Sequence, residues 1–209
     1  LNPDILIQSE SIEILYKAYF NYENIGILAP ALYDNDNNRR SNGNLSFINK
    51  EKISKKNILN NQKAQGNTCY QFAVGCAYLI KKDFFNEIGG FDKDFFMYFE
   101  DNDFCDKTID KKMSIIEIPE SKMVHLQGLS VENSFLQNCK LSIIHKISEY
   151  IYYKKKTSIL NLYKKIFINF FDYLQRFFIN IIELKFNKSF KNLLRILSII
   201  LYISKLYLF

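Results

Sequence analysis

Apolar and polar positions change their rhythm along this chain. Up to about residue 130, short apolar runs alternate with polar stretches; beyond residue 140, apolar residues recur at helical spacing among lysines. Residues 5–7 (Ile-Leu-Ile) are followed by a polar turn in which Ser9 or Ser11 is placed to cap a helix running to about Phe20. That helix would carry Ile12, Leu15, Tyr16 and Tyr19 on one face. Residues 25–30 (Ile-Gly-Ile-Leu-Ala-Pro) predict a short buried strand. Residues 34–44 are a polar turn region, and residues 45–68 are polar without periodicity, which predicts a long loop. Residues 69–80 read as a strand with Gly75 inside it, where a glycine marks a bulge or the close approach of another group. Asp83 is placed to cap a short helix that Gly89 ends. The aromatic stretch 91–99 reads as strand-like and runs into Glu100-Asp101-Asn102-Asp103, then a helix to about Lys112. Residues 113–118 predict a strand closed by Pro119, and residues 124–126 a further extended piece ended by Gly128. Strand and helix signals in alternation favour an α/β fold.

The last stretch differs. Residues 140–209 mix Lys154-Lys155-Lys156 and Lys164-Lys165 with clusters such as Ile166-Phe167-Ile168, and helical spacing puts Ile166, Phe170, Tyr173, Leu174 and Phe177 near one face. Two readings suit this pattern, a helical hairpin packed on a domain and a helix pair lying on an anionic membrane surface. Charge follows the same division. Residues 1–139 carry 15 Lys+Arg against 19 Asp+Glu, residues 140–209 carry 13 against 3, and the whole chain of 209 residues is +6. A boundary near residue 140 is therefore expected, with domains at 1–139 and 140–209. Bulky aliphatics share the basic faces and no nucleic-acid-binding motif occurs, so no nucleic acid is expected as a partner.

Cys69, Cys76, Cys105 and Cys139 form no C-x-x-C pair and there are only two histidines, which argues against a structural zinc site and for buried free thiols in a reducing cytoplasm. No uninterrupted apolar run reaches transmembrane length; residues 193–209 come nearest and are broken by Arg195 and Lys205. The chain opens on Leu1, with Asn2, Pro3 and Asp4 in place of a charged leader, and the expectation is a fragment of a longer protein.

Three groups of residues carry chemistry. Glu100-Asp101-x-Asp103 opens a predicted helix, where carboxylates are favoured by the macrodipole, and this accounts for Asp103 well. Asp101, after a run of aromatics, is better read as a carboxylate at a cleft wall, where partial desolvation raises basicity enough to accept a proton from a sugar hydroxyl. His125 follows a strand and precedes a glycine turn. An isolated His is more often a satisfied structural residue, but imidazole suits a divalent metal such as Mn²⁺ among oxygen ligands. Asn2-Pro3-Asp4 is either a turn or the seat of a carboxylate ligand, Asp4, for a cation that neutralises a diphosphate.

In this order the groups resemble a known family. Residues 89–103 (GGFDKDFFMYFEDND) are similar to the central signature of glycosyltransferase family 2, closest to its rhamnosyltransferase-like and galactofuranosyltransferase-like members. Residues 74–82, 113–119 and 123–130 resemble the flanking segments, and Asn2-Pro3-Asp4 resembles the motif standing where other members bind metal through D-x-D. The resemblance spans about residues 1–135. It implies an α/β, GT-A-type nucleotide-diphospho-sugar transferase domain, here its C-terminal portion, followed by a basic amphipathic helical tail. By motif match it implies Asp101 as catalytic base with Glu100 beside it, Gly75 and Asp103 at the substrate, Asn2 and Asp4 at the cofactor, and Asp4 and His125 on a divalent metal, Mg²⁺ or Mn²⁺. It further implies a nucleotide-diphosphate sugar donor, a glycan or lipid-linked acceptor in bacterial surface glycan synthesis, and a cytoplasmic location peripheral to the inner face of the membrane. Two departures stand out: Asp106 and Lys107 replace an apolar residue and an Arg, and the nucleotide-gripping βαβ half expected ahead of Asn2 is absent from the sequence. The competing expectation is a non-catalytic, membrane-associated remnant.

Overall fold

The computed structural model describes residues 1–40, 42–44, 66–126 and 134–205. The chain folds as two compact units, one of residues 1–92 and 100–132, the other of residues 93–99 and 133–209. The division near residue 133 lies seven residues before the one suggested by charge, and the aromatic segment 93–99 belongs with the helical unit.

The first unit is built on a five-stranded sheet. Strand β1 is Ile5–Ile7, β2 Ile25–Tyr33, β3 Arg39–Arg40, β5 Thr68–Tyr70 and β7 Ser114–His125, while β4 (Gly43–Asn44) and β6 (Phe72–Ala73) form a small separate ladder. Strand β7 is the hub. It runs parallel to β2 on one edge, and on the other it pairs antiparallel with β5 through Ile115–Glu117 and with β1 through Met123–His125. The two pieces expected at 113–118 and 124–126 are thus one strand, and Pro119 does not close it. The β2–β7 register jumps from Pro30↔Ile118 to Ala31↔Lys122, so residues 119–121 form an irregularity in which a proline's missing N–H breaks no ladder bond.

Strand β2 extends past its expected end to Tyr33 and is buried along almost its whole length, as expected of a parallel strand covered on both faces. One face presents Leu28 and Leu32 to helix α1 (Ser11–Tyr19) through Leu15 and Ala18. The other presents Ile27 and Ala29 to helix α3 (Glu100–Asp110) through Phe104 and Cys105. Neither expected serine caps α1. Glu10 holds that position with a left-handed φ of 67°, and Ser11, one residue inside, donates to Lys122 O at 2.6 Å while Ser121 donates back to Ser11 O at 2.9 Å. The start of α1 is thereby clipped to the β7 irregularity. In helix α2 (Lys82–Glu87) Lys81 is the cap and Asp83 lies in the first turn, a position the macrodipole favours. Gly89 ends α2 with φ of 80°. The expected strand 69–80 is two short strands and then a turn at Gly75, and the expected strand-like 91–99 contains no strand. Within the expected polar segments, β3 and β4 lie in 34–44 and β5 starts at Thr68, while residues 45–65 fall outside the described ones, as does the Gly128 turn.

Among the described residues the second unit is three helices rather than a hairpin: α4 (Phe135–Lys156), α5 (Ile159–Ile182) and α6 (Phe186–Ser204). Ser134 and Ser158 cap α4 and α5 by accepting from Gln137 N and Asn161 N. Tyr150, Leu162, Ile166, Tyr173 and Ile199 form the core. Of the five residues expected on one face of α5, Ile166 and Tyr173 are buried and Phe170, Leu174 and Phe177 half-buried. Among the described residues no helix is long and apolar enough to cross a membrane.

Candidate active site

Helix α3 begins where the backbone is least comfortable. Tyr98 and Phe99, the two residues before it, both have left-handed φ, 68° and 66°, a conformation that costs a non-glycine residue about 1 kcal/mol or more. The helix then opens on Glu100, Asp101 and Asp103. Consecutive helical positions point about 100° apart, so the three carboxylates meet different surroundings.

Asp101 faces the turn after β6. Its Oδ2 accepts from Gly75 N at 3.2 Å, and its Oδ1 accepts from Asn102 N at 2.8 Å and Asn102 Nδ2 at 3.1 Å. A Cβ at position 75 would stand 2.7 Å from the Asp101 Cβ, so no side chain fits there. The close approach expected at Gly75 is made by Asp101. Burial pushes the Asp101 carboxyl above the ordinary range, and the hydrogen bonds from Gly75 and Asn102 oppose this only in part. Among the described residues, one lone pair on Oδ2 is left beyond the bond from Gly75.

Glu100 is half-buried, and its Oε2 is sealed from solvent with no hydrogen-bond partner among the described residues. Desolvation raises its pKa too, and the neighbouring Asp101 charge adds to the rise. Asp103 turns the other way. It is buried, with Oδ2 2.9 Å from Lys107 Nζ, and the same ammonium donates to Gly90 O at 3.3 Å. This internal ion pair ties α3 to the Gly89-Gly90 turn. Lys107 thus serves the helix packing, although it lacks the fork geometry of the Arg expected there.

The other two groups meet across the β1–β7 pair. Ile5 is in register with His125, Leu126 N donates to Asp4 O at 3.0 Å, and Asp4 Oδ2 lies 3.3 Å from His125 Nε2. Residues 121 positions apart are joined only because β1 adds antiparallel to the end of β7. Asn2, whose side chain is exposed, ties this corner to the next through its main chain, Asn2 N donating to Cys76 O at 2.8 Å. Cys76 follows Gly75, so a continuous path runs from Asp4 and His125 through Asn2, Cys76 and Gly75 to Asp101. Its electrostatics agree. Burial pushes the Cys76 thiol up to about 12, and the carboxylates of Asp4 and Asp101 both add to that rise. Tyr78, which the sequence does not single out, is a further neighbour: its hydroxyl donates to Ala73 O and lies 3.5 Å from Cys105 Sγ beneath the same turn. The only sequence signal for it was a tyrosine inside an otherwise aliphatic run.

No group of three or more His, Cys, Asp or Glu side chains stands close enough to hold a metal among the described residues. Asp4 and His125 amount to a two-ligand set, one hard oxygen and one imidazole, of the kind that binds a divalent cation together with substrate phosphate and water. In that limited sense the residues fit a cation shared with a diphosphate.

Residues 57–128, about a third of the chain, match the family model described as the N-terminal domain of galactosyltransferase. The match takes in β5, β6, Gly75, all of α3 and β7 to His125, and leaves out Asp4. No curated protein matches the chain. The match supports a glycosyltransferase-like domain, and the mixed α/β fold is consistent with it.

Proposed function

We propose that this domain belongs to an inverting glycosyltransferase that moves a sugar from a nucleotide-diphosphate donor to a hydroxyl of a glycan or lipid-linked acceptor in bacterial surface glycan synthesis, on the cytoplasmic side of the membrane. One observation carries the reading: a desolvated Asp101 carboxylate held in a fixed orientation by Gly75 N and Asn102, with a lone pair remaining. A sugar hydroxyl is a weak nucleophile until its proton is taken. As the acceptor oxygen bonds to the anomeric carbon, the bond from that carbon to the terminal phosphate oxygen breaks. The electron pair leaves with the nucleotide diphosphate, and the hydroxyl proton passes to Asp101. Glu100, beside Asp101 at the start of α3, would shape the acceptor site. Asp4 and His125 would hold the divalent cation, whose contribution is to neutralise charge on the departing diphosphate.

The test is release of nucleotide diphosphate from a panel of nucleotide hexoses, deoxyhexoses and furanoses, alongside calorimetric binding of each donor. Asp101→Asn should lower kcat by on the order of 10²–10⁴ while leaving donor affinity in place. Near wild-type turnover in that variant removes Asp101 from the role, and a chain that neither binds nor turns over any donor sinks the proposal. For the cation, Mn²⁺ affinity followed by paramagnetic resonance should fall in His125→Ala.

A further inference from the structure

The second unit leaves an unusual amount of apolar surface outside. Along α5, Leu160, Tyr163, Phe167, Phe171, Phe178 and Ile182 are all exposed, and their spacing lines them up on one side of the helix, away from the buried Leu162, Ile166 and Tyr173. The stripe leads to the turn between α5 and α6. There Ile182 is 81% exposed, Leu184 73% and Phe186 63%. Leu184 also sits at φ of 56°, the position after a helix end where glycine is the usual occupant. A residue both strained and solvated contributes nothing to the fold by its side chain.

Cations gather at the same turn. Arg176, Lys185, Lys188, Lys191 and Arg195 line an open cavity of about 380 Å³ together with a single carboxylate, Glu183. Glu183 Oε2 is held by Lys185 at 2.6 Å, and Arg176 pairs with Asp172 at 2.8 Å, so the two carboxylates near the cavity engage two of the five cations. Residues 140–209 as a whole carry 13 Lys+Arg against 3 Asp+Glu. A second copy of the chain is a poor occupant of this surface, because pairing would bring two strongly positive faces together. A partner that is anionic at its surface and apolar beneath satisfies both features at once.

We propose that the α5–α6 turn is a membrane-docking device: Ile182, Leu184 and Phe186 enter the apolar layer of an anionic leaflet, and the five-cation cavity receives a lipid phosphate headgroup. This concerns the helical unit alone and stands or falls apart from the transferase reading. The experiment is flotation of the full chain with phosphatidylcholine vesicles, with and without phosphatidylglycerol. Binding is expected only with phosphatidylglycerol and should fade as salt is raised. Lys188→Gln with Lys191→Gln should weaken it by about thirtyfold. Leu184→Gly separates docking from folding, since relief of the left-handed strain should raise the melting temperature while vesicle binding falls. Equal binding to neutral and anionic vesicles, unchanged binding of Leu184→Gly, or a concentration-dependent dimer that forms in place of vesicle binding would each overturn the proposal.

Discussion

The Asp101 corner and the α5–α6 turn handle costly residues in opposite ways. Around Asp101 the charged groups are drawn inside and given partners: Gly75 N and Asn102 for Asp101, Lys107 for Asp103, His125 for Asp4. At the α5–α6 turn the apolar groups are put outside, with Leu184 and Ile182 in solvent beside a cluster of lysines. Either arrangement costs stability by itself, and each lies next to non-glycine backbone in the left-handed region, Tyr98 and Phe99 in one case and Leu184 in the other. Strain of that kind persists where surrounding structure holds it, and it collects at functional sites. The two regions differ in what would relieve the cost. A hydroxyl donating to Asp101 suits the first, and an apolar, anionic surface suits the second.

The largest effects should come from breaking the first region. Gly75→Ala puts a Cβ 2.7 Å from the Asp101 Cβ, and Gly26→Ala in β2 puts one 2.3 Å from Thr108 Cγ2. Both overpack the same unit and each should cost about 1–3 kcal/mol in thermal or chemical unfolding. Gly75→Ala strikes Asp101 itself, whereas Gly26→Ala strikes Thr108 further along α3, so at a temperature where both variants are folded Gly75→Ala should lose on the order of 10² in rate and Gly26→Ala much less. Equal losses would mean that Gly75 matters for packing alone.

A smaller effect tests whether buried carboxylates in the sheet are sustained by their partners. Glu117 is fully buried in β7 and meets Arg39 of β3. Desolvation raises its pKa and Arg39 opposes the rise. Arg39→Met should destabilise the unit by on the order of 3 kcal/mol at neutral pH, and Arg39→Met with Glu117→Gln should recover most of that in the same unfolding experiment.

The parts of this molecule that were legible in its sequence are those where local pattern and tertiary demand agree. Residues 25–30 are apolar in succession and become a strand buried on both faces, and Gly75 interrupts a β pattern where another side chain must come close. Asp4 and His125 were paired through a resemblance, and the antiparallel addition of β1 to β7 supplies their proximity. Pro119 misled because a register jump in the partner strand, invisible locally, lets a proline stand inside β7. The aromatics of 91–99 do not form a strand because, although their period suits one, their packing is non-local: Phe99 packs against Tyr152 with ring centroids 5.4 Å apart, and Ser148 donates to Met97 O at 2.8 Å, both within the helical unit. At Asp103 the residues alone point to a structural carboxylate of the helix start and the motif match points to a substrate contact; in the structure it is buried beside Lys107, one turn on.

The smallest predicted effect is electrostatic and bears on why the first region tolerates its carboxylates. Folding raises the pKa of Glu100 and of Asp101, in each case chiefly through desolvation. The folded protein therefore keeps these protons to higher pH than the unfolded chain. Stability from this source is fully present below the ordinary carboxylate range and is lost as pH rises through the raised values. Glu100→Gln removes one ionisation without removing the side chain's acceptor, so it should stabilise the protein modestly near neutral pH, and the gain should vanish in acid where wild-type Glu100 is already neutral. Melting temperatures of the two proteins across the acidic range measure this directly. If the variant is instead less stable near neutral pH, then the Glu100 carboxylate has a favourable partner in the folded protein.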